Sequence, residues 1–217
     1  MDNNILRNRL EKHLLWLNDA DGGERFCSAD LHGANLRYAN LRKADLHGAD
    51  LRYDNLYGAD LRKADLHSTN LGYADLHNAT MCGANLCGSD LCGSDLRGSD
   101  LSDADLRYAD LRYADLHDAD LRNADLSGAD LRYADLRKAD LRYADLRYAD
   151  LRGANLDFSS GIPFCCGGTR IKLDRRAFAQ MIYHLVNQDW QDEVAQEFVN
   201  SIPRNIAEMF KQYRGDV

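Results

Sequence analysis

Ala134-Asp135-Leu136-Arg137-Lys138-Ala139-Asp140-Leu141-Arg142-Tyr143-Ala144-Asp145-Leu146 repeats one five-residue phrase, Ala-Asp-Leu-x-x, without interruption. Followed outward in both directions, the phrase holds from about residue 24 to 158. Its centres fall every five residues from Phe26 to Leu156, 27 in all, with no shift of frame. Leu holds 25 of these centres and Phe26 and Met81 the others; Asp or Asn precedes 25 of them, and Ala stands two before 21. A helix repeats every 3.6 residues and a strand every two, so a period of five fits neither alone. It fits a short extended piece followed by a bend. In that piece residues two apart share a face, which turns Ala and the centre inward and their neighbours outward. Ala must be small because the walls of such a coil converge on a narrow interior.

This pattern of a small residue, Asp or Asn, Leu or Phe, then two variable residues resembles the pentapeptide-repeat family over about three-fifths of the chain. The resemblance implies an all-β solenoid, a right-handed quadrilateral parallel β-helix in which four pentads make one square coil. Twenty-seven pentads then give between six and seven coils, and at ~4.8 Å per coil a rod of roughly 30 Å. Such a rod is filled by its own side chains. It leaves no cavity for a substrate or cofactor, so the expectation is a non-catalytic protein with no cofactor.

The rest of the 217 residues divides into an N-terminal segment, 1–23, and a C-terminal one, 159–217. Leu6, Leu10, Leu14 and Leu17 recur on one face of a predicted helix that would cap the open first coil. Gly161 to Gly168 breaks the pattern. Asp174 is placed to N-cap a helix with Phe178, Met181, Ile182 and Leu185 on one face. Two further helices follow, one carrying Val194, Phe198 and Ile202, the other opening at Pro203 and carrying Ile206, Phe210 and Tyr213. These C-terminal helices are candidates for docking on the last coil, for a homodimer contact, or for a partner. No apolar run reaches the ~18 residues of a membrane span and the N-terminus has no signal-peptide pattern, so the expectation is a cytoplasmic protein.

Residues four pentads apart stack on one face of such a coil, so the outer surface reads as ladders. Before the centres stand 19 Asp and six Asn; after them Arg recurs, as Arg112, Arg132 and Arg152 on one side and Arg42, Arg62, Arg122 and Arg142 on another. Residues 25–157 hold 23 acidic and 17 basic groups, a net of −6 within a chain of −8. That balance argues against nucleic acid or a membrane as the partner, since both attract basic surfaces. Tyr113 and Tyr133 stack beside Arg112 and Arg132, and Tyr and Arg are enriched in protein interfaces. Arg112, Tyr113, Arg132, Tyr133 and Arg152 are therefore the candidate partner surface, on a rigid scaffold for another protein.

The family includes quinolone-resistance members that protect DNA gyrase with acidic, DNA-like rods, and the resemblance carries that alternative with it. Two features of this chain depart from it. Its Arg rows dilute the negative potential of a duplex mimic, and its frame holds no inserted loop.

Six cysteines are present. Cys82, Cys87 and Cys92 fall on three successive sides and diverge, which builds no tetrahedral metal site. Cys27 and Cys87 share a side but lie three coils apart, beyond disulfide reach. Cys165 and Cys166 offer zinc only if His184 and a fourth ligand join them, so the expectation is no metal. Asp174, Gln180, Tyr183 and His184 resemble a C-terminal segment of some family members, and hydrogen bonding at the junction with the rod accounts for them. Asp54 stands where Ala is usual, at an inward position; a carboxylate there is expected to be protonated, hydrogen-bonded to backbone or water, or displaced outward, and local distortion of its coil is the expected outcome.

Overall fold

The structure, a computed structural model, describes residues 26–157, 159–160 and 171–173, together with Asn8 and Lys12. Asn8 and Lys12 have helical backbone. The apolar face of the expected N-terminal cap, Gly161–Gly168, and all the C-terminal helices lie outside the described residues.

Parallel bridges join Asp30 to Asp50, Asn35 to Asn55, and so on in steps of five up to Asp140 and Ser160, each pairing a residue with its counterpart four pentads on. Four pentads therefore close one coil, and the frame read from the sequence holds throughout. In the pentad at Leu111 every N–H has a partner. Asp110 N–H donates down to the Ser89 carbonyl at 2.9 Å, and Leu111 and Tyr113 donate up to Asp130 and Arg132 at 2.8 and 3.1 Å. Ala114 closes a turn onto the Leu111 carbonyl at 3.2 Å. The remaining donor, Arg112 N–H, has no backbone partner in this geometry; Asp110 Oδ1 accepts it at 3.1 Å. The Asp or Asn of the repeat is thus first a local acceptor that satisfies the one N–H the coil cannot.

Each turn has a left-handed third residue. From Ser28 to Gly153 every fifth residue has φ between +51° and +76°, 17 of them not glycine. A positive φ at the third position alone is the mark of a type II turn. For residues with a Cβ it costs roughly 1–2 kcal/mol each, which the closed hydrogen-bond ladder must offset.

Inside, every centre from Phe26 to Leu156 is at most 2% exposed. Ser89, Ser94 and Ser99 replace Ala there without orphaning a hydroxyl, since each Oγ donates to the Leu carbonyl three residues back at 2.7–2.8 Å. Asp54 stays buried, and the expected distortion of its coil is absent. Asp54 N–H still reaches the Leu51 carbonyl at 3.2 Å, Asp75 N–H reaches the Asp54 carbonyl at 2.9 Å, and Oδ1 accepts Ala34 N–H from the coil below at 2.8 Å. The pocket that holds Ala elsewhere takes a carboxyl group because a backbone donor meets one of its oxygens.

Beyond the break the chain returns. Lys172 bridges Asp150, its N–H donating to Ala149 and its carbonyl accepting from Leu151. Ile171 and Leu173 pack against the core on either side of it. An unbroken frame would put position 170 opposite Asp150; the chain instead meets it at Lys172, two places late.

Candidate interaction surface

One side of the rod carries the third-position residues Gly33, Tyr53, Tyr73, Gly93, Tyr113, Tyr133 and Gly153. Tyr113 and Tyr133 stack with ring centroids 5.2 Å apart and planes within 7°. Tyr53 and Tyr73 stack in the same way, at 5.4 Å and 6°. Sequence reading singled out the first pair and missed the second; the same four-pentad step, carried three coils down, would have found it. Each pair ends on a glycine for a steric reason. A Cβ on Gly93 would lie 2.6 Å from the Tyr73 ring, and one on Gly153 2.5 Å from that of Tyr133. All four rings are more than half exposed.

Beside the upper pair runs a continuous ion ladder. Arg112 Nε donates to Asp110 Oδ1 at 2.8 Å, Arg132 to Asp130 at 2.8 Å, and Arg152 to Asp150 at 2.8 Å. Arg112 also reaches up to Asp130 at 3.8 Å and Arg132 to Asp150 at 4.0 Å. The five expected surface residues therefore do lie together. The fork of Arg132 holds the Asp130 carboxyl below its usual range, as that of Arg152 does for Asp150. Across all four sides, 11 arginines among the described residues fork onto the Asp two residues before them. The expected side-by-side rows are thus direct pairs within a pentad, and each removes one Asp from the bare negative surface.

A depression of about 320 Å³ on the same side, near the first coils, is lined by Asp30, His32, Asp50 and Arg52. Its four walls are polar, unlike the largely apolar lining of a substrate pocket. Cys82, Cys87 and Cys92 are free, half-buried and on different sides; burial, then Asp110, pushes the Cys92 thiol up. On the side that begins with Cys27, one cluster was not foreseen. Cys27, Asp45 and His47 offer ligand atoms within 4.8 Å of one another, because Cys27 and His47 occupy the same place on neighbouring coils. Asp174, Gln180, Tyr183, His184, Cys165 and Cys166 lie outside the described residues. Among the described residues no helix is long and apolar enough to cross a membrane.

No curated protein sequence matches the chain. Among solved structures, a trypsin-treated variant of QnrB1, a plasmid-mediated fluoroquinolone resistance protein, shares the fold at a TM-score of 0.50. It is 18% identical and is matched over 75% of this chain and 92% of its own. Two proteins from the cyanobacterium Nostoc PCC 7120 are closer in sequence. HetL, a pentapeptide repeat protein involved in heterocyst differentiation regulation, is 36% identical over 60% of this chain and 73% of its own, with a TM-score of 0.28. The pentapeptide repeat protein alr5209 is 35% identical over 58% and 84%, with a TM-score of 0.35. The sequence pattern of pentapeptide repeats matches residues 28–67, 59–98, 84–123, 99–137 and 119–157 in eight copies, a span of more than half the chain. With its unbroken five-residue frame, its four-pentad coil and its inward Ala and Leu columns, the chain belongs to the pentapeptide repeat family, as a right-handed four-sided β-helix.

Proposed function

We propose that this protein is a rigid, non-catalytic scaffold that docks another protein on the side carrying Arg112, Tyr113, Arg132, Tyr133 and Arg152. The observation that carries the reading is the pair of stacked, exposed tyrosines held against an arginine ladder on a rod whose described core is lined by fully buried Leu and Ala side chains. Rings fixed by stacking lose little freedom on binding, and Tyr and Arg are enriched among interface hot spots. The test is affinity capture with the full chain against a Tyr113→Ser/Tyr133→Ser variant of matched thermal stability. A partner held by the first and released by the second supports the reading; a partner held equally by both overturns it.

A second reading, a DNA-like rod directed at gyrase, is favoured by the net acidity of the repeat region. The 11 Asp–Arg forks weigh against it, since a duplex presents one unopposed charge per ~1.7 Å. Gyrase supercoiling measured with and without a fluoroquinolone decides: no effect of the protein on either removes this reading.

The proposed role of the segments around residues 1–23 and 174–217 is to close the two ends of the rod, where a β-helix otherwise offers an open edge. Solution mass before and after deleting residues 174–217 separates the two roles: a cap is a monomer that self-associates once its open coil is exposed, whereas a dimer contact is a dimer that falls to a monomer.

A further inference from the structure

We propose that Cys27, Asp45 and His47 form a binding site for a single zinc-class divalent metal ion. The three residues belong to the first two coils, and each is half-buried. Their ligand atoms lie within 4.8 Å of one another, the only such grouping of three His, Cys or carboxylate residues among the described residues. Two atoms bound to one tetrahedral zinc through sulfur and nitrogen sit about 3.5 Å apart. The cluster therefore closes on an ion by side-chain movement of about 1 Å, with the backbone left in place. That backbone is already tied, since Ser28 N–H donates to the His47 carbonyl at 2.8 Å.

The donor set selects the ion. A thiolate with an imidazole prefers zinc and its neighbours to magnesium or calcium, which want oxygen alone. His47 Nδ1 and Asp45 Oδ1 are 2.6 Å apart. A carboxylate accepts only, so in the neutral ring Nδ1 donates to it and Nε2 is the ligand nitrogen, the arrangement in which a carboxylate orients a metal-binding histidine; an Asp45 oxygen drawn onto the ion would instead free Nδ1. Asp45 either keeps that place or swings an oxygen onto the ion; Cys27 and His47 are the obligatory ligands in both cases. His67 stacks on His47 with centroids 5.0 Å apart and planes within 7°. Its ring nitrogens lie in a plane parallel to that of His47, and one ion cannot sit in both planes. His67 is therefore outside the site.

The position gives the ion a purpose. A solenoid frays from its ends, and a metal joining Cys27 to His47 would fasten the first coil to the second.

Cobalt titration of the full chain tests this, because a thiolate bound to cobalt absorbs in the near ultraviolet. One equivalent should bind, and the sulfur band should persist in Cys165→Ser/Cys166→Ser and in His67→Gln. It should vanish in Cys27→Ser and His47→Gln, while Asp45→Asn weakens binding about 10- to 100-fold. Zinc should raise the thermal midpoint of the wild type and leave that of Cys27→Ser unchanged. A band that survives Cys27→Ser, one that disappears with Cys165 and Cys166, or no band in excess cobalt overturns the proposal.

Discussion

Asp54 is the residue on which the pH response of the rod turns. Its carboxyl is 1% exposed, Oδ1 is bonded to Ala34 N–H, and Oδ2 has no partner among the described residues. Burial pushes its pKa up from 3.8 to about 7. The folded state therefore holds the proton more tightly than the unfolded chain. The stability linked to that proton is complete below pH 4 and is lost as the pH rises to about 7, a change on the order of 4 kcal/mol. The exposed carboxylates held down by arginine act oppositely and weaken the fold only as the pH falls below about 4. Denaturant unfolding should accordingly find the wild type losing stability between pH 5 and pH 8. Asp54→Ala, which restores the usual residue, should be flat across that interval and more stable at pH 8. A wild-type curve as flat as the variant's would mean that Oδ2 has a partner after all. The sequence marked Asp54 as odd because Ala surrounds it in the frame, but it could not reveal the backbone donor one coil below that lets the coil stay regular. Gly153 is a second point where one atom matters. Gly153→Ala combines a φ of +76° with a Cβ at 2.5 Å from the Tyr133 ring, and should cost about 1–3 kcal/mol. Part of that loss should return in the double variant Tyr133→Ser/Gly153→Ala, as a double-mutant cycle of midpoints will read.

The pentad, as an element, is held by an acceptor as much as by a charge. Asp90 has no arginine after it, yet its Oδ1 takes the Cys92 N–H at 2.9 Å. Asp90→Asn keeps that acceptor and should leave the stability within about 0.5 kcal/mol. Asp90→Ala removes it and should cost about 1 kcal/mol. Equal losses in the two variants would assign the effect to charge instead. The hint was in the sequence, since Asn replaces Asp at six of these positions and shares only its acceptor oxygen. The inward and outward columns, the centres and the coil count were all readable, because side-chain direction in extended backbone follows from spacing alone. The left-handed corners were not. Tyr, Lys, Ser and Asp occupy them as well as Gly and Asn, and only closure of the coil forces a positive φ on such residues. The rung at Ile171–Leu173 escaped for a related reason: its offset follows a stretch with no repeat to count from. The Cys27–His47 pairing was within reach of the ladder rule, but the cysteines were read along the chain and against one another, never against the histidines one coil away.

Over the whole molecule the balance of charge is set pair by pair. Replacing Arg112, Arg132 and Arg152 together with Gln would leave Asp110, Asp130 and Asp150 as neighbouring carboxylates up one side, each one coil from the next. The thermal midpoint should fall at low ionic strength, and the gap from wild type should narrow near 0.5 M salt, where screening acts within about 4 Å. A gap that does not change with salt would show that the arginines matter through packing. The four-pentad bridges have another consequence, which concerns how such a gene can change length. Gain or loss of one pentad preserves the interior everywhere but turns everything beyond it by a quarter revolution, so Tyr133 would no longer stand over Tyr113. Gain or loss of four pentads leaves every column aligned and alters only the reach of the rod. Copying errors of a single repeat thus rearrange what the surface displays, whereas errors of a whole coil conserve the display and change its length.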